Sequence, residues 1–118
     1  MMSLLGAGAA NGNGVGVPAD VTPPDAPANL VATPGDGTVG LAWDANVEAD
    51  LSGYRVWRSE TSGEGFVDIS DLITVGTETY DDATAVNDTT YFYHVTAEDE
   101  TGNASVPSNE EEATPVAP

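Results

Sequence analysis

Arg55 and Arg58 are the only basic side chains in a chain of 118 residues that carries 20 acidic ones, and Trp57 stands between them. A guanidinium beside an indole can stack on its face or fork onto a carboxylate, and arginine and aromatic residues are enriched at interface centres. The pair therefore points to recognition. For catalysis there is little material: His94 is the sole histidine and cysteine is absent. No serine stands in a nucleophile-elbow pattern, and no glycine-rich loop leads into a helix to cradle a phosphate. A carboxylate pair performs acid and base work only in a cleft that splits its pKa values, which a small domain with solvated acids rarely supplies. The chain reads as a non-enzyme.

The acidic residues raise one further chemistry. Asp44, Glu48 and Asp50 border one loop, and Glu98, Asp99 and Glu100 border another. Hard cations take several converging oxygens, so calcium is the cofactor to consider, with Asp44, Glu48, Asp50 and Asp99 as its ligands. Neither cluster follows a calcium-loop template, and scattered carboxylates are what so acidic a composition produces anyway; otherwise no cofactor is expected. Asn87-Asp88-Thr89 and Asn103-Ala104-Ser105 fit the N-glycosylation pattern in predicted loops, which matters only for an exported chain.

The elements that must position these residues are strands. Short runs alternate apolar and polar residues with period two, each closed by Gly, Asn, Asp or Pro, and no helical period of useful length appears. ANLVATP is the first run. TVGLAWDA is the second, with Val39, Leu41 and Trp43 on one face, and SGYRVWRS is the third, with Tyr54 and Val56 inward. Phe66 to Ile69 and Leu72 to Val75 form short edge strands, and TETYDDA follows, with Tyr80 plugging the core. TTYFYHVTAEDETGN is the strongest strand, with Tyr91, Tyr93, Val95 and Ala97 on one face and Phe92, His94 and Thr96 on the other. SNEEEATP closes the series as a polar edge guarded by charge. Parity sends Arg55 and Trp57 outward if Tyr54 and Val56 point in.

A chain of this size supports one domain. Residues 1 to 22, rich in Gly, Ala and Asn, read as a flexible arm; 23 to 115 form the domain and 116 to 118 a tail. The proline cluster TPPDAP stiffens the domain's start. The opening MMSLLGAGAANGNG has no Lys or Arg before its short apolar stretch, making it a poor secretory signal, and it is too short to span a bilayer. A formal charge of −18 repels itself and calls for screening, as in a halophile's protein. Nucleic acid and anionic membranes are excluded as partners, because both need basic patches.

In order and spacing, PPDAPANL, Trp43 in LAWDA, GYRVWR and TTYFYHVTAEDETGN resemble a fibronectin type III domain over roughly Pro23 to Pro115. The resemblance implies an all-β, immunoglobulin-like sandwich of about seven strands in two antiparallel sheets. It implies a core of Trp43, Tyr54, Val56, Tyr91, Tyr93 and Val95, with Tyr91 at a tyrosine corner that bonds back near Ala85 to Asp88. The leucine and proline usual ahead of that tyrosine are replaced by Val86 and Asn87-Asp88. No RGD sequence occurs, so integrin binding is not implied.

In this family the sixth strand lies beside the third, so Phe92 and His94 are expected to share the outer face with Arg55 and Trp57. The resulting patch has two readings: cross-strand packing alone, or a docking face. Two functions follow, the first as the leading reading and the second as its alternative. One is a subunit of a halophilic extracellular or viral assembly, such as a capsid decoration, turret or surface filament, that binds protein subunits of the same or a neighbouring kind through its arm and this patch. The other is an accessory module, spacer or carbohydrate-contacting, of a secreted enzyme or cell-surface protein. DLSGYRVWRS with AEDETGNAS is most similar to modules of microbial extracellular enzymes and surface proteins.

Overall fold

A computed structural model describes residues 20–118, so the expected arm lies almost wholly outside the described residues. Eight strands run in order: β1 (Ala28–Pro34), β2 (Val39–Asp44), β3 (Leu51–Ser59), β4 (Val67–Asp68), β5 (Ile73–Thr74), β6 (Thr79–Asp82), β7 (Tyr91–Asp99) and β8 (Glu111–Ala113). The smaller sheet has the order β1-β2-β6, and the larger the order β4-β3-β7-β8, with β5 also on β3. All pairings are antiparallel. The fold is an all-β sandwich with no helix among the described residues, hence none long and apolar enough to cross a membrane.

Alternation places the core. Val39, Leu41 and Trp43 point inward from β2, Tyr54 and Val56 from β3, and Tyr91, Tyr93, Val95 and Ala97 from β7; all are buried. Burying each Val or larger apolar side chain contributes about 1.5–3 kcal/mol, which is what binds the two sheets. Trp43 meets Tyr54 edge-on, with ring centroids 5.4 Å apart at 69°. The Tyr54 hydroxyl accepts the Asn46 N–H at 2.9 Å, so the phenol spans core and loop.

Three local devices shape the sheets. A bulge in β1 between Ala28 and Val31 is made by Asn29, whose φ of 58° is left-handed and whose amide donates to Asp44 at 2.6 Å. The edge beside β3 is one strand broken in two, with β4 opposite Trp57 and Arg58, and β5 opposite Gly53 and Tyr54. The break is bridged because Ile69 N–H donates to the Val56 carbonyl at 2.9 Å while the Ser70 hydroxyl accepts the Val56 N–H at 2.8 Å. Both short edge runs read from the sequence are thus present, giving eight strands where the resemblance implied about seven. Lastly, the Tyr91 hydroxyl accepts the Val86 N–H at 2.9 Å, forming the corner although proline and leucine are missing from it.

Residues just outside the expected boundaries bond to the domain. Asp20, assigned to the arm, accepts a bond from the Asn103 amide on its carbonyl at 3.0 Å, and Val116, assigned to the tail, donates to the Gly35 carbonyl at 3.1 Å. Tyr80 is half-buried against the core, its hydroxyl donating to the Ile69 carbonyl at 2.9 Å.

Candidate interaction face

The outer face of the larger sheet is built by register. β3 and β7 pair so that Trp57 lies directly opposite His94, Arg55 opposite Thr96, and Ser59 opposite Phe92. Trp57, His94, Phe92 and Arg55 are all half-buried on this face. Trp57 and His94 rings stand 6.3 Å apart at 45°, and the Trp57 indole N–H donates to the Thr96 hydroxyl at 3.0 Å. The tightest stack was not foreseen: Phe66, just ahead of β4, lies 4.2 Å from His94 at 31°. Its placement depends on how the chain leaves β3, which strand parity does not encode. Burial pushes the His94 imidazole below its ordinary pKa, against a smaller opposing pull from Glu110, and so favours the neutral ring.

Arg55 does not lie free on the rings. Its guanidinium donates through Nη1 to Asp68 at 2.8 Å and through Nε to Glu98, so its charge is balanced by two carboxylates. The cation over an aromatic ring is Arg58 instead, 4.8 Å from the Tyr91 centroid. Arg58 shares the parity of Tyr54 and Val56 and therefore turns inward; it meets Asp82, whose side chain is 2% exposed, at 2.9 Å. The Tyr93 hydroxyl donates to the same Asp82 oxygen at 2.7 Å, and Thr84 donates to the other through both N–H and hydroxyl. Burial raises the Asp82 pKa, but these donors and Arg58 outweigh it and hold the carboxyl below its usual range. The inward parity of Arg58 was readable, but its partner on the opposite sheet was not.

The acidic loops separate into unlike places. Asp44 is bonded to Asn29, and the Glu48 carboxylate accepts the Asp25 N–H at 2.7 Å. Both line a cavity of about 160 Å³ with Asp25, Ala26, Ala28, Ala45, Asn46 and Val47. Asp50 and Asp99 instead meet Asp20, with oxygens all within 4.8 Å of one another. The expected calcium ligands thus do not form one set, and Asp20 joins two of them. Burial and the neighbouring Asp20 push Asp50 up; for Asp99 burial is outweighed by Asn103 and Thr101, which hold it down to about 2. That split resembles an acid/base pair, yet none of the trio lines the cavity.

Both sequon asparagines are already occupied. Asn87 donates its amide to Asp36 at 2.8 Å while accepting the Gly37 N–H. Asn103 gives its amide to Asp20, Asp99 and Thr101. A glycan takes one of the two amide hydrogens, so Asn103 could not keep all three of its contacts.

No family model matches the chain. It is 38% identical over 100 residues to an amylopullulanase of Thermoanaerobacterium thermosulfurigenes, and 38% identical over 99 residues to one of Thermoanaerobacterium saccharolyticum. Each match covers 84% of this chain, which spans only 5% and 7% of those proteins. Among solved structures, a Fn3-like protein from Clostridium thermocellum superposes with a TM-score of 0.66 at 27% identity, covering 82% of this chain and 99% of that one. A β-1,2-glucanase from Parabacteroides distasonis contains a similar unit, with a TM-score of 0.72 at 24% identity, covering 84% of this chain and 14% of that enzyme. The fibronectin type III domain of a human fibronectin type III domain-containing protein matches with a TM-score of 0.65, also at 24% identity, over 85% of this chain and 93% of that domain. With its two-sheet sandwich, its β3–β7 pairing and its Tyr91 corner, the chain has the fold of a fibronectin type III domain.

Proposed function

We propose that this chain is a non-catalytic accessory module of a secreted, carbohydrate-active enzyme or cell-surface protein, holding its neighbours apart in a defined orientation. The observation that carries the reading is its likeness, over most of its length, to a short stretch of much longer amylopullulanases. The same likeness supports an extracellular placement. The assembly-subunit expectation has no comparable support among the relatives.

The ends of the domain suit a spacer. Asp20 is tied to Asn103 beyond the last residue of β7, whereas Pro115 accepts the Asp88 N–H ahead of its first. β7 has 9 residues, and an extended strand rises about 3.3 Å per residue. The two attachments therefore lie at opposite ends of the sandwich, each bonded to the domain's body. The points at which the described chain enters and leaves the domain are thereby fixed at its two ends.

The native reading frame tests this. A frame that also encodes a catalytic domain, whose activity on a small soluble substrate survives excision of residues 20–118, supports the module. A frame encoding this domain alone, with its product recovered in purified particles, overturns it in favour of an assembly subunit.

A further inference from the structure

We propose that the outer face of the larger sheet is a stacking shelf for a neutral polysaccharide, with Trp57, His94 and Phe66 as its rings. The proposal rests on the accessory-module reading and names the ligand and the surface.

A pyranose ring offers C–H bonds on its faces and hydroxyls at its rim. An aromatic face carries negative quadrupole charge and attracts the first, while carboxylates and hydroxyls bond the second. The shelf has both. The Phe66 and His94 rings stand 4.2 Å apart, tilted by 31°, and Trp57 extends the patch at 6.3 Å from His94 and 45°. Around them stand Glu98 and Asp68, both held by Arg55. Glu110 accepts bonds from Ser62 and Gly63 beside the row. The Trp57 N–H is already bound to Thr96, which fixes the indole plane, so less side-chain freedom is lost on binding.

Charge selects the ligand. With −18 formal charges on the chain, an anionic polymer is repelled. Arg55 is spent on two carboxylates and Arg58 is turned into the sandwich, so neither is available to attract an anion to the shelf. A basic protein would be drawn to the acidic surface at large rather than to the aromatic row itself. An uncharged sugar chain meets no such penalty and finds the aromatic row.

The test is native electrophoresis of the whole chain through gels containing soluble starch, pullulan or alginate. Retardation by starch or pullulan, lost in Trp57→Ala and in Phe66→Ala and kept in Val31→Ser on the other sheet, is the expected result. Trp57→Tyr, which keeps a ring, should retain most of the retardation; circular dichroism verifies that each variant is folded. No retardation by either neutral glucan overturns the shelf, as does retardation unchanged in both ring deletions or equal retardation by alginate. These outcomes are independent of the reading frame: a module can lack the shelf, and a lone domain can possess it.

Discussion

The Arg58 guanidinium lies 2.9 Å from the Asp82 carboxylate between the two sheets, bridging β3 to β6. One of the chain's two basic residues is thus spent on its interior. Removing one partner leaves the other charge shielded from water with nothing to balance it. Asp82→Asn should cost about 3 kcal/mol in urea unfolding, whereas Arg58→Met combined with Asp82→Leu should recover most of that loss. A double variant no more stable than Asp82→Asn would show that the pair contributes more than its desolvation costs.

Acid sensitivity follows from the same carboxylate and from His94. His94 has a lowered folded pKa, so its contribution is present above the unfolded value of about 6.5 and is lost as pH falls through the folded one. Asp82 is lowered too, so its contribution is present above about 3.9 and is lost at still lower pH. Tyr93 is raised by burial and by Asp82, so its contribution is complete below about pH 10 and is lost above. Thermal melts against pH should show the wild type losing stability relative to His94→Phe below about pH 6.5. Parallel curves for the two proteins across that range would refute the assignment.

Gly53 has no room for a side chain. A Cβ there would stand 2.1 Å from the Ile73 carbonyl oxygen on β5. Gly53→Ala should therefore push β5 off β3 and cost about 3 kcal/mol. Hydrogen exchange should show protection lost at Val75 N–H, which donates to the Ser52 carbonyl.

The Tyr91 hydroxyl is the acceptor for Val86 N–H. Tyr91→Phe keeps the ring in the core and removes that acceptor, so the expected loss is about 1–3 kcal/mol in urea. A loss below about 0.5 kcal/mol would mean that water or another group replaces it.

Self-repulsion from −18 charges should make stability depend on salt. Raising NaCl from about 0.01 to 1 M shortens the Debye length from about 30 to 3 Å, and the melting temperature should rise across that range. Replacing several exposed acids, for example Glu60, Asp81 and Glu112, with glutamine should reduce the slope. An unchanged melting temperature would place the charges too far apart to interact.

Much of this architecture was legible before any coordinates. The period-two pattern around Tyr54 and Val56, and around Tyr91, Tyr93 and Val95, sorts each side chain to one of two faces, because a strand's geometry leaves no third choice. Trp57 and His94 each fall on the outward side of their own strand; that they share a face came from the strand order implied by the resemblance to fibronectin type III domains, and the absence of cysteine and of a second histidine removes whole classes of chemistry. What pattern alone could not supply is the pairing between distant segments. Phe66 stacks on His94 because of the turn after β3, Arg58 meets Asp82 across the sandwich, and Asp20 reaches Asp50 and Asp99 from the far end of the chain. Parity is a local property of each strand and is written residue by residue. Which carboxylate neutralises which cation depends on how the sheets face each other, and that is decided only when the chain closes on its core.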